Sequence, residues 1–348
     1  MNLSIKEIIN KYIDTDYSIE NKNLNFNRFL FELHYKRGTS IDDRDNDLLI
    51  KFLLYKYNSC KDIRYLNELL YFRNINNKFL KEIDESFKKH ISKSGTHLLP
   101  VYNKKNKKKT YLINKKKIKK IALLGPPHFF NNIYKILIDK GYKVYVINIP
   151  FYTEPFRNKI LSSKFLIKIY EIIYKINIPY KSIDLKYDSD SLNNYLNHYD
   201  FDIGVSKLGF IVKENIYSCF KYGLIHDHGA QLPHFRGRSV IEYSILHGCS
   251  ITSSIHFINK SIDGGDIVNS FIYSKILQQY KSINRIKKFY KDKFTERIIQ
   301  TIDKINNNDI NVIENNFKDG LTYYSIHPKL KNYINHNILN NENFNTLS

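Results

Sequence analysis

Between Gly223 and Ser239 the chain reads Gly-Leu-Ile-His-Asp-His-Gly-Ala-Gln-Leu-Pro-His-Phe-Arg-Gly-Arg-Ser, an apolar run that stops in three ionisable side chains. His226 and His228 lie two residues apart, so on an extended backbone they project to one side. Three chemistries are open to such a pair. They can be hydrogen-bonded structural histidines, an H-x-H metal pair in need of further ligands, or acid–base and oxyanion groups. His234, His247 and His256 follow and keep the metal reading open. Arg236 and Arg238 come just before Ser239, and Glu242 stands three residues after it. That spacing is a capping box, and Gly248 would close the helix it opens. Two guanidinium groups at the positive end of a helix would make an anion site. Downstream, Asp263 lies in Ser261-Ile-Asp-Gly-Gly-Asp-Ile267. It is either a turn carboxylate or the group that orients and charges a histidine.

These residues need elements to carry them. From Lys120 onward, strands alternate with helices. Ile121-Ala-Leu-Leu124 is a buried strand, Phe130 to Lys140 a helix, and Val144 to Ile149 a strand. Leu161 to Ile176 is a helix and Ile178 to Ile183 a short extended piece. A helix follows over Ser191 to His198, then strands over Phe201 to Val205, Tyr222 to Ile225 and Ile255 to Ile258. The alternation implies a parallel sheet with helices on both faces, and ligands in such sheets bind beyond the carboxyl ends of the strands. The expected exit of the 222–225 strand is where His226 and His228 stand. Gly125-Pro-Pro lacks the GxGxxG pattern, which argues against a dinucleotide site.

Residues 1–103 read as a helical N-terminal region, with apolar clusters at Leu49–Leu54 and Leu66–Phe72. Residues 104–117 form a Lys-rich linker, or a polyanion-binding arm for RNA or an acidic membrane surface. Residues 118–328 form the α/β domain that carries these motifs, and 329–348 an Asn-rich tail expected to fray. The net charge of +21 over 348 residues accompanies a general excess of Lys, Asn, Ile and Tyr. It therefore reflects background composition as much as anionic partners. Cys60, Cys219 and Cys249 are isolated, which speaks against a disulfide framework or thiolate zinc site and fits a reducing cytoplasm. The most apolar run, Phe165 to Tyr174, is broken by Lys168 and Glu171. No transmembrane segment is expected from it.

The stretch from about 118 to 325 resembles the folate-dependent formyltransferases, a family that includes methionyl-tRNA, glycinamide-ribonucleotide and sugar-amine enzymes. Ile121-Ala-Leu-Leu-Gly125 resembles the family's opening strand. Gly223 to Gly237 resembles its Gly-x-Ile-Asn-x-His-x-Ser-Leu-Leu-Pro-x-x-Arg-Gly signature, and Ile262 to Ile267 its Ile-Asp-x-Gly-Asp-Ile loop. The two motifs stand in the family's order. The resemblance implies an α/β fold, a formyltransferase-type Rossmann-like parallel sheet flanked by helices. It implies 10-formyltetrahydrofolate as donor, a primary amine as acceptor and no metal.

By position, His228 falls on the catalytic His and Asp263 on the catalytic Asp. His226 takes the place of the Asn that hydrogen-bonds the formyl oxygen, and is expected to act as a surrogate donor. Lys207-Leu-Gly-Phe-Ile-Val resembles the loop lining the pterin pocket, which singles out Gly209. Arg236 and Arg238 are expected to meet phosphates of the acceptor. With the extra length at the N-terminus rather than the C-terminus, a nucleotide-linked amino sugar or other small amine is favoured over tRNA. A methionyl-tRNA formyltransferase and a non-catalytic binding protein are the alternatives.

Overall fold

The computed structural model describes residues 43–72, 79–92, 108–109, 117–149, 180–182, 189–209, 211–307, 312–316 and 319–340. The helix expected over 161–176, most of the Lys-rich run and residues 341–348 lie outside them. The strands are β1 (Lys108–Lys109), β2 (Lys120–Leu124), β3 (Lys143–Asn148), β4 (Tyr180–Ser182), β5 (Ile203–Ser206) and β6 (Leu224–His228). They continue with β7 (Phe235–Gly237), β8 (Ile251–Phe257), β9 (Ile267–Tyr273), β10 (Val312–Ile313) and β11 (Leu321–Tyr323). The helices used below are α1 (Asp43–Cys60), α2 (Ile63–Phe72), α3 (Leu80–Ser92), α4 (Asn131–Asp139) and α5 (Ser189–Tyr199). The remaining ones are α6 (Val240–Leu246), α7 (Ile283–Asp292), α8 (Phe294–Asn306) and α9 (Pro328–Tyr333).

Among the described residues, nine strands form one sheet in the order β1-β10-β9-β8-β6-β5-β2-β3-β4. The half from β6 to β4 is parallel, as the βα alternation requires. Beyond β6 the sheet turns antiparallel. The physical reason is the connection: β8 and β9 are joined directly by the loop that carries Asp263, and a short loop returns a strand only antiparallel. Lys108 and Lys109, inside the expected linker, pair with Ile313 and Val312 at the sheet edge.

β2 shows how the layers arise. Its side chains alternate, so Ile121 and Leu123 join one apolar cluster with Ile133 and Leu137 of α4 and Ile298 and Ile302 of α8. Ala122 and Leu124 join the other, with Leu192 and Leu196 of α5. Each fully buried Leu or Ile contributes about 1.5–3 kcal/mol relative to exposure. Gly125 then ends β2 at φ +142°, where a Cβ would sit 2.7 Å from the carbonyl oxygen of Lys207. Glycine lets the exits of β2 and β5 approach one another.

A third cluster unites both ends of the chain. Leu49, Leu53, Leu66, Leu69 and Ile83 of α1, α2 and α3 pack with Tyr243 of α6, Tyr323 of β11 and Leu330, Tyr333, Ile334 and Ile338. Asn67 receives the His327 N–H at 2.7 Å, and Lys329 pairs with Asp84 at 2.7 Å. The expectation of a frayed tail is therefore corrected for 329–340: its Leu and Ile recur at helical spacing and are buried by the N-terminal helices. No helix among the described residues is long and apolar enough to cross a membrane.

Candidate active site

β6 extends through His228. The sequence expectation that the strand ends at Ile225 is corrected, because pairing with β8 continues the ladder. The antiparallel register places His256 opposite His226 and Ser254 opposite His228. The ring of His256 consequently stands beside both histidines of β6, with centroids 5.6 Å from His226 and 6.2 Å from His228. His228 and His256 are buried, at 4% and 2% exposure.

Each ring is oriented by a backbone carbonyl. His226 Nδ1 faces Ser206 O at 3.2 Å, His228 Nε2 faces Phe235 O at 2.7 Å, and His256 Nδ1 faces Phe257 O at 2.7 Å. A carbonyl oxygen only accepts, so the nitrogen facing it carries the hydrogen. In the neutral rings His226 Nε2, His228 Nδ1 and His256 Nε2 are therefore lone-pair nitrogens.

Asp263 closes this group from the β8–β9 loop. Its Oδ2 lies 3.5 Å from His228 Nδ1 and its Oδ1 3.6 Å from His256 Nε2. The same Oδ2 accepts the Gly237 N–H at 2.8 Å. Asp263 has φ +46°, a left-handed conformation that costs a non-glycine residue about 1–3 kcal/mol. Gly265 follows where a Cβ would lie 1.7 Å from Phe257 O, so no other residue fits the turn. Asn315 donates to the carbonyls of Asp263 at 2.7 Å and Gly265 at 2.9 Å, which clamps the loop.

Burial alone would raise the Asp263 carboxyl, but the neighbouring His228 and His256 imidazoles hold it well below the usual carboxylate range. Burial pushes His226 down to about 4, with His256 adding to it. His228 is also lowered by burial, against the pull of Asp263. The site thus sets an ionised carboxylate beside His226 and His228, whose burial favours the uncharged ring.

Three expectations need correction. Arg236 is fully buried, and its guanidinium binds Asn315 Oδ1 at 3.3 Å and Asn316 O at 2.7 Å. It supports the segment that clamps Asp263 and is not placed to meet a substrate phosphate. The capping box does not form either. Ser239 sits at φ +53° and its hydroxyl accepts from Ile326 N at 3.1 Å, while Glu242 pairs with Lys287. His226 departs from its expected role as well. Its N–H points to Ser206 O, so the neutral ring offers an acceptor, not a donor, on its other side.

Arg238 is exposed, next to Gly237. Gly209 is exposed in the turn after β5, three residues beyond the Ser206 that orients His226. Sequence reasoning passed over Asp227, between the two histidines. It is fully buried and accepts from Tyr290 OH at 2.6 Å, Ser253 Oγ at 2.5 Å and Arg297 Nη2 at 2.5 Å. Burial would raise Asp227, but the Arg297 charge brings it down to about 2. The available signal was the alternation of β6, which sends Asp227 to the face opposite the histidines.

No family model matches the chain. Among curated proteins, the methionyl-tRNA formyltransferase of Rickettsia bellii is 29% identical over 153 residues, which are 43% of this chain and 48% of that protein. The methionyl-tRNA formyltransferase of Pelagibacter ubique is 27% identical over 208 residues, 59% of this chain and 62% of that protein. This chain spans about half the length of the first of these relatives. Among solved structures, a 4-N formyltransferase from Francisella tularensis superposes with a TM-score of 0.42 at 22% identity, covering 60% of this chain and 77% of that one.

Proposed function

We propose, from the premise that this chain is related to the formyltransferases, that it moves a formyl group from 10-formyltetrahydrofolate to a primary amine. The observation that carries the reading is the meeting of His228 and Asp263, from two separate motifs, at 3.5 Å in a buried cluster. An acceptor amine attacks the formyl carbon only when neutral, and it must shed a proton as the new C–N bond forms. His228 Nδ1 has the lone pair to take it. The resulting imidazolium is flanked by Asp263 on one side and the Phe235 carbonyl on the other, both of which stabilise positive charge. General-base assistance of this kind is worth about 10²–10⁴-fold. The tetrahedral intermediate then collapses: the bond from the formyl carbon to the folate nitrogen breaks, and the His228 imidazolium returns its proton to that nitrogen as tetrahydrofolate leaves.

The acceptor in this reading is a small amine with an anionic portion, such as a nucleotide-linked amino sugar, and its candidate cation is Arg238, exposed and next in the chain to the Gly237 that binds Asp263. The Gly209 turn lines the folate side. A cytoplasmic setting goes with this reading. The Lys-rich run supports a second acceptor, tRNA, through its charge. A binding protein without turnover is favoured by one observation, the absence of an N–H from His226 toward the cluster.

The test is release of tetrahydrofolate when the full chain is given 10-formyltetrahydrofolate with a nucleotide-linked amino sugar or with methionyl-tRNA. Turnover that drops at least a hundredfold in both His228→Ala and Asp263→Asn supports the reading. Folate binding without turnover against every amine would leave only the binding protein.

A further inference from the structure

The cluster at the end of β6 has an excess of lone pairs. One donor atom from each of His226, His228 and Asp263 lies within 4.8 Å of the other two. The N–H of His226 and that of His228 are each taken by a carbonyl outside the cluster. The nitrogens left over hold lone pairs beside an ionised carboxylate. His256 adds a further one: its Nε2 is buried, has no hydrogen-bond partner among the described residues and sits 3.6 Å from Asp263 Oδ1. From outside the cluster, the carboxylate accepts the Gly237 N–H at 2.8 Å. Lone pairs so gathered repel one another unless a positive charge sits between them.

We propose that His226, His228 and Asp263 bind a divalent transition-metal ion of the zinc or iron(II) class. Two imidazoles and one carboxylate, with further positions open, are a known donor set for such ions. The spacing suits it. Tetrahedral bonds of about 2.0–2.1 Å put donors roughly 3.3 Å apart, and His228 Nδ1 is 3.5 Å from Asp263 Oδ2. The donor atoms of all three residues lie within 4.8 Å of one another, and a bound ion would draw them closer. Carbonyls that fix the tautomer of each ligating histidine are the outer partners that metal-binding histidines ordinarily have. His256 stands behind Asp263 as a fourth donor or as its orienting group. His226, standing where the formyltransferase pattern has Asn, supplies the second imidazole.

The ion uses the same His228 lone pair that the formyl-transfer reading assigns to the acceptor's proton. The two uses exclude one another at any moment. Metal is expected to inhibit formyl transfer, and this consequence alone rests on that reading.

The experiment uses the full chain freed of metal by a chelator and titrated with Co²⁺, followed by competition with Zn²⁺. One equivalent of Co²⁺ with a visible ligand-field absorption band is expected. His226→Asn and Asp263→Asn should each weaken binding at least tenfold, with His198→Ala, an exposed histidine on α5, as control. Melting curves of the metal-free variants establish that they are folded, and His256→Gln provides a further ligand change if one of them is not. Absence of a stoichiometric site overturns the proposal, as does binding lost in the control and kept in the cluster variants. Since Co²⁺ binding is read spectroscopically and without folate, its failure is distinct from a failure of formyl transfer.

Discussion

Asn315 gives its side-chain amide to two carbonyls of one loop, those of Asp263 at 2.7 Å and Gly265 at 2.9 Å. The carboxylate of Asp263 owes its position to this clamp and to the Gly237 N–H. Arg236 in turn holds Asn315 and the adjacent Asn316 carbonyl. Asn315→Ala leaves two carbonyls short of a donor, at a cost of about 1–3 kcal/mol. We expect it to lower kcat for tetrahydrofolate release more than it raises KM, since it moves a carboxylate and not a substrate contact. Steady-state kinetics beside a melting curve check this.

The two arginines of the 236–238 segment should behave differently. Arg236→Ala strips a buried hydrogen-bonded cation and is expected to destabilise the protein by about 2–3 kcal/mol. Arg238→Ala, on an exposed side chain, should leave the melting temperature within error and raise only the KM of an anionic acceptor. Chemical denaturation and kinetics on both variants distinguish a structural from a contacting arginine.

His226→Asn replaces an imidazole that offers a lone pair with an amide that can donate. A single donor to a developing oxyanion is worth about 10²–10³-fold in kcat. We expect a gain in formyl transfer of up to about 10²-fold, measured by tetrahydrofolate release in the presence of chelator. An unchanged rate would show that the formyl oxygen finds its donor elsewhere.

Acid should act on the N-terminal helices through Asp62. Burial would raise its carboxyl, but the neighbouring Arg64 at 2.7 Å holds it below the usual carboxylate range. A carboxyl depressed on folding stabilises the native state above its unfolded pKa, and that stability is lost as pH falls from about 4 through the lower folded value. Melting temperature measured from pH 5 downward should therefore decline less steeply in Asp62→Asn, which is less stable at neutral pH.

The parallel half of the sheet was legible because its strands are short β-branched runs separated by helical spacing. The antiparallel half was less so: β8 begins at Ile251, four residues before the sequence pattern suggests, because Thr252, Ser253 and Ser254 are polar yet buried. Ser253 and Ser254 find partners in Asp227 and Ala230, which no local periodicity reveals. The C-terminal segment was misread for a related reason. Asn-rich composition suggests a loose tail, whereas Leu330, Ile334 and Ile338 are buried by helices more than 200 residues earlier in the chain.

The sequence by itself determined the fold class and the two motifs that bear His228 and Asp263, since both follow from residue types at fixed local spacing. What the tertiary structure decided was direction. Which ring nitrogen carries its hydrogen depends on the carbonyls of Ser206, Phe235 and Phe257. Whether Arg236 meets a ligand or the protein depends on Asn315 and Asn316. The arrival of His256 beside His226 depends on strand register. Hydrogen bonds and burial are set by groups distant in the chain, so spacing can name the chemical groups of a site while only the folded contacts say which way each of them faces.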